Sequence, residues 1–320
     1  MKILVTGGCG FIGNNFVKYM LNKYPGCRII NLDKLTYSGN IDNTKDIKNE
    51  RYEFVKGDIC NKNLVYNLMK QVDFVVHFAA ETHVDKSIVN PFIFTRTNVL
   101  GTHILLEAAR KSSVKKFVHI STDEVYGSID PGSFVETDTL NPSSPYAASK
   151  AAADLLAKSY FVTYKFPVLI TRSTNNFGPY QHPEKLIPLF ITNILKNKKV
   201  PLYGDGLNVR DWIYVLDNCE GIDFLLRKGE PGEIYNIRGG NEKSNIEITR
   251  MILKELGKKE SFIEYVRDRP GHDRRYSLND SKIQNLGWAP KLNFKKRLKQ
   301  TIQWYRKNQE WWEKLKGRLK

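Results

Sequence analysis

Short apolar runs alternate with longer stretches of helical periodicity through the first 175 residues. The runs at 2–6, 28–32, 52–56, 74–78, 116–121 and 168–173 predict strands, and the stretches at 14–24, 63–70, 97–111 and 146–165 predict helices. Several strands are apolar on both faces, Phe74-Val75-Val76 among them, as strands covered by helices on either side must be. The alternation predicts an α/β chain with a doubly wound parallel sheet. After Gly178 the rhythm breaks into shorter elements separated by Pro- and Gly-rich loops such as Gly204-Asp205-Gly206 and Arg269-Pro270-Gly271. The expected division is therefore a first domain over 1–175 and a smaller mixed α/β domain over 176–320, with some of the latter returning to the first sheet. Phe294, Leu298, Ile302 and Tyr305 close the chain as one apolar helical stripe under a basic face.

Composition sets limits on this picture. A chain of 320 residues with 41% hydrophobic and 26% charged positions can bury a sizeable core, which excludes a wholly disordered or fibrous protein. No apolar run reaches the roughly 18–20 residues of a membrane-spanning helix, and Met1 leads straight into a strand, so a cytoplasmic protein is expected, away from membranes. Four scattered cysteines (Cys9, Cys27, Cys60, Cys219) have no ligand-like or disulfide-like spacing, as suits a reducing compartment, and no metal is expected. The formal charge of +16 suggests polyanions, yet the last thirty residues hold eleven Lys and Arg against two acids. That concentration reads as a solvated helix face, and no nucleic-acid partner is expected.

Candidate chemistry begins directly after the first strand. Thr6-Gly7-Gly8-Cys9-Gly10-Phe11-Ile12-Gly13 joins strand to helix. Glycine suits a tight turn, close approach of a pyrophosphate to the backbone and close helix–strand packing, and the helix N-terminus then offers its free N–H groups to phosphate. Asp33 ends the second strand 20 residues after Gly13, where a carboxylate accepts from both ribose hydroxyls and repels a 2′-phosphate. This is a Rossmann-type signature favouring NAD over NADP. Gly57-Asp58-Ile59 suits adenine contact, and His77-Phe78-Ala79-Ala80 leaves room for a cofactor beside the fourth strand.

Further on, Tyr146 and Lys150 stand at i and i+4 on one helix face, where an ammonium can help a phenol ionise. Ser121-Thr122-Asp123-Glu124-Val125-Tyr126-Gly127 lies at the carboxyl end of a strand, the edge at which open α/β sheets gather ligands. Thr122 can bond the hydroxyl being oxidised. Asp123 and Glu124 add an acid and a base if their surroundings separate their pKa values.

With these motifs the chain resembles the extended short-chain dehydrogenases/reductases, and specifically the nucleotide-sugar 4,6-dehydratases, from the first strand to about Gly287. The resemblance rests also on Asp33-Lys34-Leu35-Thr36-Tyr37-Ser38-Gly39-Asn40, Ala79-Ala80-Glu81-Thr82-His83-Val84-Asp85-Lys86-Ser87, residues 173–188, Arg210-Asp211-Trp212 and residues 268–276. It implies three steps on one glucose ring. Tyr146, assisted by Thr122 and Lys150, takes the C4 hydroxyl proton as hydride passes to NAD+. Glu124 then removes the C5 proton while Asp123 protonates the departing C6 hydroxyl, and the hydride returns to C6. The net reaction is that of a hydro-lyase making a 4-keto-6-deoxy sugar nucleotide, from dTDP-glucose by resemblance, with UDP-glucose close behind.

The resemblance extends the expected cofactor set to Gly7, Gly10, Phe11, Ile12, Gly13, Asp33, Lys34, Leu35, Thr36, Ser38, Gly39, Asp58, Ile59, Ala79, Ala80, Thr82, Thr97, Tyr146, Lys150 and Asn176. For the substrate it points to His83, Asn175, Lys185, Leu186, Tyr203, Arg210, Asn245, Arg269, His272 and Tyr276, with Arg210 and one of Arg269, Arg274 or Arg275 facing the diphosphate. A homodimer is implied. Thr82, Lys86 and His182 depart from the usual Ser, Arg and aromatic ring. Two other readings use the same scaffold: a sugar 4-epimerase or decarboxylase, which would leave Asp123 and Glu124 idle, and a non-catalytic NAD- or polyanion-binding protein.

Overall fold

A computed structural model describes residues 1–291 and 293–317; the last three residues of the basic tail lie outside the described part. Its strands are β1 (Lys2–Thr6), β2 (Arg28–Asp33), β3 (Tyr52–Lys56), β4 (Phe74–His77), β5 (Lys116–Thr122), β6 (Val168–Ser173), β7 (Asn175–Phe177), β8 (Val200–Tyr203), β9 (Val209–Tyr214), β10 (Ile234–Ile237), β11 (Glu242–Ser244) and β12 (Ile263–Val266). Seven form one parallel sheet in the order β10-β6-β5-β4-β1-β2-β3. The six strands expected from the apolar runs are all present, within a residue of the expected ends. The strand order turns back beside β1, so a crevice opens at the carboxyl ends of β1 and β4, the place where such sheets bind ligands.

The sheet is covered on both faces. Helices Phe11–Lys23 and Val215–Lys228 pack one face through Phe16, Met20, Cys219 and Ile222. Helices Lys62–Met69, Thr102–Lys111 and Pro145–Tyr164 pack the other through Val65, Leu105, Ala157 and Tyr160. Residues 215–237 thus complete the large sheet layer although they follow the break in rhythm. A third core gathers around Phe177, Phe190, Trp212 and Ile252, together with the C-terminal stripe. Phe294, Leu298, Ile302 and Tyr305 are all buried on helix Phe294–Lys307. That core carries the three-stranded β11-β9-β7 sheet and lies beside the β12-β8 pair.

One helix differs from expectation. Instead of a regular helix over 97–111, residues Thr95–Gly101 form a π-helical turn ahead of Thr102–Lys111. The widened turn turns Asn98 inward, where its side chain accepts from the Glu81 N–H and donates to the Glu81 carbonyl and the Ser149 hydroxyl. Such bulges recur at functional sites. Here it links the loop after β4 to the helix that carries Tyr146 and Lys150.

Candidate active site

The glycine turn between β1 and the first helix is built for close approach. Gly7 has a φ of +73°, and a Cβ there would sit 2.6 Å from the Ala79 nitrogen. A Cβ on Gly13 would meet the Gly7 carbonyl at 2.4 Å. Gly10 caps helix Phe11–Lys23 with no side-chain bond, which leaves the first-turn N–H groups free for an anion. Asp33 lies at the end of β2; its carboxylate accepts from the Cys9 N–H at 2.9 Å and the Leu35 N–H at 2.8 Å. Burial raises its pKa, and those two bonds oppose the rise. One lone pair remains on each oxygen, the pattern a ribose diol requires. The cradle therefore fits a dinucleotide such as NAD.

Every residue expected at the cofactor, with the exception of Leu35, lines one cavity that runs from Gly13 to Lys185. Leu35 lies outside it and acts through its backbone on Asp33, in a left-handed conformation with φ 57°. Lys34 turns to the adenine end and pairs with Asp58 at 2.9 Å.

Thr122, Asp123, Glu124, Tyr146 and Lys150 converge at the inner wall of the same cavity. Thr122 is the last residue of β5, and the strand is followed at once by a 3-10 turn, Asp123–Tyr126, that brings both acids over the sheet edge. Opposite, Ser144 caps helix Pro145–Tyr164, with Pro145 in its first turn, so that Tyr146 and Lys150 enter from the N-terminal end. Thr122 Oγ1 donates to Asp123 Oδ1 at 3.1 Å, while Asp123 Oδ2 is buried without a partner. Burial, reinforced by the charge of Glu124, pushes Asp123 up to about 8. Glu124 is also raised by burial, but Arg269, Lys185 and Arg210 all oppose the shift. The two adjacent carboxyls thus differ in their surroundings: Asp123 is kept protonated, while three cations hold back the rise of Glu124. Burial and the charge of Glu124 raise the Tyr146 phenol, with Thr122 opposing through a hydrogen bond. Lys150 is pulled down to about 8 by burial, and its Nζ donates to the Ile120 carbonyl at 2.6 Å.

The expected substrate residues divide. Asn175 and Lys185 line the cavity, and Lys185 Nζ donates to the Thr82 carbonyl at 3.0 Å. Tyr203, Arg210, Arg269, His272 and Tyr276 form a cluster beside Glu124, beyond the cavity wall. Within it the Arg210 guanidinium lies 4.2 Å from the Tyr276 ring centre and donates to the carbonyls of Val209 and Asp273. The Tyr203 and His272 rings meet edge to face, and Arg269 pairs with Asp85 at 3.4 Å. The Arg269 Nε is buried and unpartnered, whereas Arg274 is half exposed and paired with Asp205, and Arg275 with Glu242. Arg269 is thus the second arginine with a donor left for a diphosphate. Asn245 starts helix Asn245–Glu255 and keeps a buried, unpartnered Oδ1. Leu186 opens the helix directly after Lys185, Leu186–Leu195, and His83 caps the short helix Val84–Val89.

Sequence reasoning passed over Glu81, Gln181 and Glu184, which also line the cavity. Glu184 stands within 3.4–3.7 Å of Lys86, His83 and His182. The departures Lys86 and His182 thus share one partner. Burial takes His182 down to about 4, so it stays neutral there. The clue was its place in Pro183-Glu184-Lys185, beside a residue already expected at the substrate.

Comparisons with known proteins agree with this geometry. A family model described as GDP-mannose 4,6 dehydratase matches residues 4–301. A dTDP-glucose 4,6-dehydratase of Streptomyces niveus is 51% identical over 323 residues, covering 99% of this chain and 96% of its own. The dTDP-glucose 4,6-dehydratase of Streptomyces venezuelae, solved with NAD and dTDP bound, matches at a TM-score of 0.97 and 51% identity, over 98% of this chain and 100% of that one. A UDP-glucose 4-epimerase of Thermus thermophilus in complex with NAD matches at 0.89 and 32% identity, over 96% and 100%.

Proposed function

The chain belongs to the GDP-mannose 4,6 dehydratase family, and from that premise we propose which of its residues carry the dehydration of a nucleoside-diphosphate glucose. It is an NAD-dependent hydro-lyase of the dTDP-glucose 4,6-dehydratase type, converting the sugar nucleotide to its 4-keto-6-deoxy form. Bound in the glycine cradle, NAD supplies a hydride acceptor that returns what it takes, so no cofactor is consumed. The residues of the chain do the rest. Tyr146 takes the C4 hydroxyl proton, with Thr122 bonded to the same oxygen and the Lys150 charge behind it. The resulting 4-ketone acidifies C5–H, and Glu124 removes that proton. Asp123, protonated at neutral pH, gives its proton to the C6 hydroxyl, which leaves as water.

The single observation that carries this reading is the separation of two neighbouring acids inside the cavity: Asp123 dry and raised to about 8, Glu124 facing three cations. A 4-epimerase has no use for either group. In this reading residues 1–175 hold the cofactor and 176–320 mainly hold the sugar nucleotide, with 215–237 serving the sheet. dTDP-glucose is the substrate favoured by the relatives, and UDP-glucose differs by lacking the thymine methyl, worth about 1–3 kcal/mol of discrimination, and by carrying a ribose 2′-hydroxyl. The test is isotopic and uses both sugars side by side. Deuterium placed at C4 is expected at C6 of the same molecule, with solvent deuterium entering C5; retention at C4, or exchange into solvent, would remove the proposed roles.

A homodimer is the assembly this reading favours. Val89 and Phe92 are each 85% exposed, and Leu155 and Val162 are 60% and 58% exposed on the helix packed beside them. A second copy burying this apolar face is expected to appear in sedimentation as a species of twice the chain mass. Among the described residues no helix is long and apolar enough to cross a membrane. We place the enzyme in the cytoplasm, where its four unpaired cysteines would remain reduced.

A further inference from the structure

Behind Tyr146 and Lys150, outside the cavity lining, Asp154, Arg172 and His119 form a dry polar layer to which the reaction as given above assigns no role. Tyr146, Lys150 and Asp154 follow one another at four-residue spacing on helix Pro145–Tyr164, and all three are buried. Asp154 is 1% exposed, and its Oδ2 accepts from Arg172 Nε at 2.9 Å. Its Oδ1 lies 3.3 Å from His119 Nε2. Arg172 on β6 and His119 on β5 point to the same face, since Arg172 is level with Ser121, two residues along from His119. Arg172 is held from the other side by the Tyr126 ring, 4.6 Å from its guanidinium carbon.

We propose that Asp154, clamped between Arg172 and His119, is a positioning residue for Lys150 and acts through it on Tyr146. An ammonium in a dry layer tends to shed its proton, and a charged group pays for burial unless a counter-charge is close. The charged and titratable groups around Lys150 are His77 from β4, His119 from β5, Asp123 and Glu124 from the turn after β5, and Tyr146 and Asp154 on its own helix, with Arg172 from β6 held behind Asp154. Both histidines are held neutral, their pKa values lowered by burial. Asp154 and Arg172 neutralise each other, which leaves Lys150 as the one net positive charge of the layer, aimed at the phenol. Asp154 also offsets the effect of burial on Lys150. Burial opposes the charge of Asp154 itself, but His119 and Arg172 outweigh it and keep the carboxyl below its ordinary range.

The proposal rests on the acid/base roles given above, and its test separates the two. The pH dependence of melting of the cofactor-free protein is compared for wild type, Asp154→Asn, Lys150→Met and the double variant. A lysine whose folded pKa lies below its unfolded value makes stability rise with pH between the two values. Asp154→Asn is expected to start that rise about one pH unit lower. In the Lys150→Met background the substitution is expected to leave the alkaline part of the pH dependence unchanged, the titration of Asp154 itself being confined to acid pH. A shift that persists without Lys150, or no shift at all, overturns the proposal; neither readout requires turnover. A kinetic arm uses formation of reduced nicotinamide in a Glu124→Gln background, where elimination is blocked and Asp123 donates no proton. There the alkaline limb is expected to move about one pH unit toward acid, whereas a merely structural defect lowers the rate equally at every pH. If Asp154→Asn does not fold, Arg172→Gln serves: it releases the Asp154 charge toward Lys150 and is expected to move the same limb toward base, and an unmoved or acidward limb overturns the proposal.

Discussion

The cofactor end of the cavity and the candidate substrate cluster beyond its wall are made of different material. At the cofactor end the recognising surface is backbone: glycines that leave no side chain in the way, free N–H groups at a helix start, and one carboxylate held by two N–H bonds. At the substrate end it is side chains, long and charged, drawn from segments that lie far apart in the chain. Arg210, Arg269 and Tyr276 meet beside Glu124 only because β9 and the 268–276 loop fold over the sheet edge. The first end is vulnerable to an added atom. The second is vulnerable to a lost charge.

That contrast breaks first at the chemistry between the two ends. Glu124→Gln keeps size and loses the base, so turnover is expected to fall by about 10²- to 10⁴-fold. Both binding ends stay intact, so absorbance from reduced nicotinamide accumulates without product; normal turnover by this variant would remove its role. At the cofactor end Gly13→Ala adds one methyl against the Gly7 carbonyl. Overpacking of about 2–3 kcal/mol corresponds to a loss of roughly 100-fold in NAD affinity, read by titration calorimetry. At the substrate end Arg269→Gln removes a charged donor and the first of the cations that hold back the rise of Glu124, so KM is expected to rise about 10-fold and the acid limb of kcat to move toward base. Arg274→Gln, whose residue is already paired with Asp205 at the surface, is expected to change KM less than 2-fold, within the small effects usual for exposed pairs.

A separate effect concerns stability and carries a definite sign. Asp123 has a folded pKa of about 8, above the ordinary carboxylate value. The folded protein therefore binds the proton more tightly than the unfolded chain, and this contribution to stability is complete at low pH and is lost as pH rises through about 8. Asp123→Asn has no such loss. Its melting temperature is expected to gain on wild type steadily between about pH 4 and pH 8, even as elimination stops. The same group predicts that wild-type turnover declines above about pH 8, when the acid has lost its proton.

Legibility in the sequence follows the same contrast. β1, its glycine turn and Asp33 carry their meaning locally: a strand, a helix start and a strand end spaced by the geometry of one βαβ unit. Tyr146 and Lys150 are legible for the same reason, being one helical turn apart. The π-helical turn at Thr95–Gly101 was not legible, because it exists to bring Asn98 to Glu81 and Ser149, partners 17 and 51 residues away. Nor was the pairing of Arg274 with Asp205 and of Arg275 with Glu242 against the unpartnered Nε of Arg269, since three arginines in one loop read alike until each partner is known. β10 escaped notice because a four-residue strand leaves little pattern of its own.

What the sequence determined by itself was the doubly wound layer, the dinucleotide cradle and the set of candidate reacting side chains, all of which are encoded in spacings of a few residues. What only the tertiary structure decided was which charges stand beside which. The separation of Asp123 from Glu124, the free donor on Arg269 and the Asp154 clamp behind Lys150 arise from burial and from neighbours contributed by distant strands. Electrostatic energy in a dry site depends on distances through space, and the chain order carries no record of them.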